Sequence, residues 1–131
     1  MMRIASCSCG QLTANAQGEP LRVSICHCLA CQRRTGSIFG VQARFHEASV
    51  AIRGTSRVYV RIGDEGSRVS FHFCPECGAT VHYRVEGYDL ETVAIPVGAF
   101  ADPGFPAPSA SVYEDRMHPW CGLPEGVLHM K

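Results

Sequence analysis

Eight cysteines fall in a chain of 131 residues, and seven of them stand in three tight clusters. These are Cys7-Ser8-Cys9-Gly10, Cys26-His27-Cys28-Leu29-Ala30-Cys31 and Cys74-Pro75-Glu76-Cys77-Gly78. Cysteines one or two residues apart can bite one ion, because a tight turn brings their sulfurs together. Zinc takes four ligands in a tetrahedron, and thiolate sulfur suits it. The glycines after the first and third clusters suit a backbone that folds its amides toward a sulfur at positive φ. Those two clusters supply four thiolates, Cys7, Cys9, Cys74 and Cys77, enough to close one structural zinc site. The middle cluster supplies three, Cys26, Cys28 and Cys31, the protein-ligand count of a catalytic site that keeps one position open.

Other readings of the same residues stay open on spacing alone. Different pairings of the clusters also give a four-thiolate site. A fourth residue could close the second site, Cys121 first, with His27 and His118 as weaker candidates. Cys121 also reads as a buried small hydrophobe or a free thiol. His72 and His82 lie in expected strands and read as structural or surface residues, while His46 and His129 carry no signal.

The elements that must position these clusters are short and β-like. Strands are expected over Leu21 to Cys26, Phe39 to Phe45, Val69 to Phe73, Ala79 to Val85, Leu90 to Val97 and Ser109 to Tyr113. In Val58-Tyr59-Val60-Arg61-Ile62 apolar residues alternate with Tyr and Arg, the period of a half-buried strand. The one helical candidate is a turn or two near Leu29 to Arg34. Thirteen Gly and eight Pro punctuate the chain as turns. The expectation is a single all-β domain over residues 1–131 with little helix, stabilised by metal crosslinks.

Composition narrows the function classes. Twelve Lys and Arg balance twelve Asp and Glu, so the basic excess of a nucleic-acid binder is missing. Seven thiolates on two divalent ions would make the loaded protein mildly acidic, which argues the same way. The longest apolar stretch, Val93 to Ala101, contains Pro96 and Gly98, so no membrane span is expected. Eight cysteines could also form a secreted disulfide framework, but no apolar segment of signal-peptide length precedes Cys7. The expected setting is therefore reducing and cytoplasmic.

These motifs resemble the glutathione-dependent formaldehyde-activating enzymes and the related centromere protein V domain. The resemblance rests on Cys-Ser-Cys-Gly, on the run from Cys26 through Gln32-Arg33-Arg34-Thr35-Gly36-Ser37 to Phe39, and on Phe-Cys-Pro-Glu-Cys-Gly-Ala. Val97 to Pro103 and Tyr113 to Trp120 match more softly. It implies several small antiparallel sheets arranged like a tent, a structural zinc on Cys7, Cys9, Cys74 and Cys77, and a catalytic-type zinc on Cys26, Cys28 and Cys31. It further implies a carbon–sulfur lyase joining glutathione to formaldehyde as S-hydroxymethylglutathione, or a related small thiol and small aldehyde. Departures include Ser111-Val112 where the family commonly has His-Ile, Met117-His118 where Lys commonly precedes Pro-Trp, and Cys121 directly after Trp120.

Glutathione carries two carboxylates and an ammonium. Arg33 and Arg34 are candidates to pair with a carboxylate, and Gly36 and Ser37 to offer an amide and a hydroxyl. Phe39 and Trp120 read as core residues or as pocket walls. The competing readings are a non-catalytic zinc-stabilised glutathione-binding or protein-interaction module, and a redox or metal sensor using exposed thiols. The chain is expected to act as a monomer or a homodimer.

Overall fold

The computed structural model describes residues 1–63, 65–87 and 91–130. Its strands are β1 (Met2–Ser6), β2 (Thr13–Gln17), β3 (Arg22–Cys26), β4 (Gly40–His46), β5 (Val50–Arg53), β6 (Arg57–Ile62), β7 (Arg68–Phe73), β8 (Thr80–Val85), β9 (Thr92–Pro96), β10 (Ala110–Val112) and β11 (Leu128–His129). One short α-helix, α1 (Leu29–Thr35), follows β3. The fold is all-β, as expected, and the helix stands where the sequence placed it. Leu90, the expected start of the strand that became β9, lies outside the described residues.

The strands form two sheets. One is three-stranded, in the order β1-β2-β5, and the other eight-stranded, in the order β11-β10-β3-β4-β9-β8-β7-β6. Pairing is antiparallel except at β10, which runs parallel to both β3 and β11. That departs from purely antiparallel sheets. The C-terminal segment supplies β10, which takes the edge of β3 not paired with β4. No helix among the described residues is long and apolar enough to cross a membrane.

The main core sits between the two sheets. Ala5, Leu12, Ala14 and Ala16 come from the small sheet and its turn, and Val23, Ala43, Phe45, Val81, Val93 and Ile95 from the large one. Phe100 and Phe105 seal it, with Phe100 at 6.2 Å from Phe45 and stacked 4.6 Å from Phe105. The alanines let the sheets approach closely. They also explain why β2 carried no strand signal, since Thr-Ala-Asn-Ala-Gln has weak intrinsic β preference and is held extended between β1 and β5.

β6 is not half-buried as expected: Tyr59, 61% exposed, is as open as the apolar positions beside it. Val58, Val60 and Ile62 are exposed, whereas Arg61 is the one residue of the strand that is partly covered. The strand ends the sheet, so its apolar face has no second layer over it, and Arg61 packs toward Phe71.

Gly54 links β5 to β6 at φ +98°, and a Cβ there would lie 1.9 Å from the carbonyl oxygen of Gln11. The adjoining Thr55 is clamped by the Gln11 side chain, which donates to its carbonyl and accepts from its amide. We expect Gly54→Ala to lower unfolding stability by more than about 2 kcal/mol in chemical denaturation, through backbone strain and this clash.

Candidate metal centres

The fold brings two groups of cysteines together. The sulfurs of Cys7, Cys9, Cys74 and Cys77 all lie within 4.8 Å of one another, and so do those of Cys26, Cys28 and Cys31. All eight cysteines are free. Both groups match the partition drawn from the counts, and the other cluster pairings are not formed.

In the first group two tight turns face each other. Cys7 Sγ stands 3.7 Å from Cys9 Sγ, and Cys9 Sγ stands 3.6 Å from Cys74 Sγ. Metal–sulfur bonds of about 2.3 Å in a tetrahedron separate neighbouring sulfurs by about 3.8 Å. Gly10 and Gly78 take φ +88° and +82°, as the turns require. Amides aim at the sulfurs: Leu12 N–H donates to Cys7 Sγ at 3.3 Å and Gln11 Nε2 to Cys74 Sγ at 3.0 Å. Burial pushes the Cys74 thiol up, but Gln11 and the backbone amides of Cys77 and Glu76 outweigh it and bring it down to about 6. The amides of Ala79 and Cys9 likewise hold Cys77 below the usual thiol range. Cys9 goes the other way: the Gln11 amide draws it down, but the Cys7 and Cys74 thiols and burial push it up to about 11, so the thiolate preference rests on Cys74 and Cys77.

The second group is built at one junction. Cys26 ends β3, Cys28 caps α1 by accepting from the amide of Cys31 at 3.3 Å, and Cys31 sits in the first helical turn. Gly40 stands opposite Cys26 in β4. A Cβ on it would crowd Arg34 Nη2 at 3.2 Å and Cys31 Cβ at 3.5 Å, so its bareness admits the helix. All three cysteines are buried. Hydrogen bonds from the Cys26 and Cys31 thiols pull Cys28 far down, and Arg61 adds to the pull. The same contacts with Cys28 and Cys31, together with burial, push Cys26 far up. Cys31 is drawn down by Cys26, but Cys28 and burial push it up overall. Crowding of the three sulfurs thus opposes their ionising together, and a bound cation would relieve it.

A cavity of about 430 Å³ opens onto these three sulfurs. Arg22, Arg34, Arg44 and Arg61 line it against one acid, Glu65. Arg34 lies 5.1 Å from the ring centres of both Phe71 and Tyr83, and Arg61 lies 5.0 Å from Phe71. The Nε atoms of Arg22, Arg34 and Arg61 are buried without a hydrogen-bond partner among the described residues. Burial keeps the Tyr83 phenol protonated, well above its usual range, so it presents a donor. Tyr113, in the left-handed region at φ +57°, also lines the cavity. Such a cavity suits an anionic ligand of moderate size.

The pattern of the glutathione-dependent formaldehyde-activating enzymes matches residues 2–116. The chain belongs to that family. No curated protein matches it in sequence. A crystal structure of a Rhodobacter sphaeroides protein is similar in fold, with a TM-score of 0.56 and 21% identity over 73% of this chain and 85% of the other.

In this family member the remaining expected residues fall as follows. Arg34 lines the cavity, while Arg33 lines a neighbouring depression together with Arg34. Gly36 forms the left-handed cap of α1, and the Ser37 amide donates to Thr35 Oγ1; neither lines the cavity. Cys121 joins neither cysteine group, its Sγ lying 3.6 Å from the Gly122 carbonyl. His27 is buried on Ser111 Oγ at 3.0 Å and edge-on to Phe39, and His118 bonds Gln32 Oε1 at 3.0 Å, so neither closes the second site. Trp120 is 73% exposed and is not a core residue. Its neighbour His118 is tied down by Gln32, which leaves the indole edge-on to that imidazole and open to solvent.

Sequence reasoning missed Arg22, Arg44 and Arg61, which no local motif marks. Gln11 was also missed, although it lies two residues past Cys9. We expect Gln11→Ala to weaken metal affinity at the first group about 10–100-fold in chelator competition, because it removes a donor to Cys74 and both clamps on Thr55.

Proposed function

We propose that this protein is a zinc-dependent carbon–sulfur lyase-type enzyme of thiol–aldehyde adducts, with glutathione and formaldehyde as the first pair to test. The observation that carries the reading is that the second cysteine group has three sulfurs, and no fourth protein ligand among the described residues, on the wall of an arginine-lined cavity. The first group, with four, is assigned as the structural zinc site. The free state of the eight cysteines accords with a reducing, cytoplasmic setting.

Cys26, Cys28 and Cys31 would hold the second zinc. When bound there, zinc supplies an open position at which an arriving thiol ionises near neutral pH. The chain's own residues then hold and orient the ligand. Arg34 and Arg61, at the Phe71 ring, are the nearest charge partners for a carboxylate. Arg22 and Arg44 line the same cavity and can take a second. The Tyr83 hydroxyl can donate to an oxygen of the adduct. In the forward direction a carbon–sulfur bond forms, the thiol proton is given up, and the carbonyl oxygen becomes a hydroxyl; the reverse step breaks that bond. Arg33, Gly36 and Ser37 lie outside the cavity lining and take no ligand contact in this reading.

The test is cobalt-substituted protein titrated with glutathione while the thiolate–cobalt absorption is followed. A saturable change, lost in Cys28→Ser, is expected. No change up to millimolar glutathione would leave the non-catalytic module in its place. Arg34→Ala and Arg61→Ala are each expected to weaken glutathione binding about tenfold in the same titration, the loss of one charge-assisted contact.

A further inference from the structure

Strand β6 is the free end of the eight-stranded sheet, and five of its six residues are exposed. Val58 is 50% exposed, Val60 39% and Ile62 59%. A long apolar edge of this kind invites another strand. The backbone shows which groups are offered. Gly63 N–H donates to Ser67 O at 2.7 Å, and the Arg68 carbonyl accepts from Glu86 N at 2.8 Å, pointing away from Ile62. Antiparallel ladders alternate. Arg57, Tyr59 and Arg61 therefore bond toward β7, and Val58, Val60 and Ile62 turn their N–H and C=O groups outward.

We propose that a second copy of this chain covers this edge, β6 pairing antiparallel with β6 across a two-fold axis at Val60. Outward groups meet outward groups in three registers centred in the strand, about Tyr59, Val60 or Arg61. The first opposes Arg57 to Arg61 of the partner subunit, and the third opposes Arg61 to Arg61 of the partner subunit. Like charges directly opposite are destabilising. Only the register about Val60 avoids them. It sets Val58 against Ile62 of the partner subunit, and Val60 against Val60 of the partner subunit, so the exposed apolar side chains cover one another. On the other face it sets Arg61 against Tyr59 of the partner subunit, a cross-strand cation–aromatic pair.

Arg61 lines the cavity over the three cysteines. The second copy thus supplies an aromatic side chain beside a cavity residue of the first, and the reverse holds by symmetry. The self-complementarity of Arg-Val-Tyr-Val-Arg-Ile is what favours a second copy over a foreign strand. The inference does not depend on the chemistry done in the cavity.

The test is the mass of the metal-loaded protein in solution, by light scattering. Twice 14.2 kDa is expected. Val60→Lys and Val60→Glu should each halve that mass, since the axis brings identical charges together. Mixing the two variants should restore the dimer, because Lys then meets Glu. A wild-type monomer at high micromolar concentration overturns the proposal, whether or not a foreign peptide binds the edge. So does a dimer that survives both variants, or folded variants that fail to reassociate when mixed. Should the variants not fold, amide exchange on the wild type decides. Concentration-dependent protection at Val58, Val60 and Ile62 supports the pairing, and fast exchange at every concentration overturns it.

Discussion

Sulfurs held within 4.8 Å of one another cannot all be anions without a cation between them. The rest of the molecule is arranged around that constraint. In the first group it joins Cys7 and Cys9, in the turn after β1, to Cys74 and Cys77, in the turn between β7 and β8. The small sheet contributes mostly alanines to the core, so the apolar area it buries is modest. An ion shared across that sequence distance would add a loop-closing restraint that the side chains do not supply. The amide of Glu76 aimed at Cys74 belongs to the same logic, since its N–H favours thiolate over thiol.

The second group applies the same chemistry with one ligand fewer and a different surrounding. Three thiolates leave a divalent ion with net negative charge, and sulfur donation makes it a weak Lewis acid. The four arginines that line the cavity would offset this charge. They arrive from β3, α1, β4 and β6, so the cavity depends on the whole large sheet rather than on one loop. Gln32 holds the arrangement from outside, donating to the carbonyls of His27 and Arg116 and so fastening the C-terminal segment against α1.

The edge strand shows how neighbouring elements override a local pattern. Val-Tyr-Val-Arg-Ile has the alternation of a strand with its valines inward. At the end of the sheet nothing lies over the valine face, while Phe71 on β7 attracts the arginine face. Period alone cannot tell which face is inner, because both choices fit a spacing of two.

Much of the site was legible in the chain. Which cysteines could share an ion follows from turns of one or two residues, and turn geometry is local. The brief helix after Cys28 and most strands of the large sheet were legible for the same reason. β2 was not, because its alanine- and asparagine-bearing stretch is extended only through pairing, and β1 and β5 are four or five residues long, too short to show a period by themselves. Nor could spacing exclude Cys121, His27 or His118 as a fourth ligand, since their distance from the three sulfurs depends on where β10 docks. The sequence by itself determined which residues could ligate a metal, seven cysteines in three tight clusters; the tertiary structure grouped them as four and three. Only the tertiary structure decided what faces the three, because the arginines lie far apart in the chain and meet only through strand register.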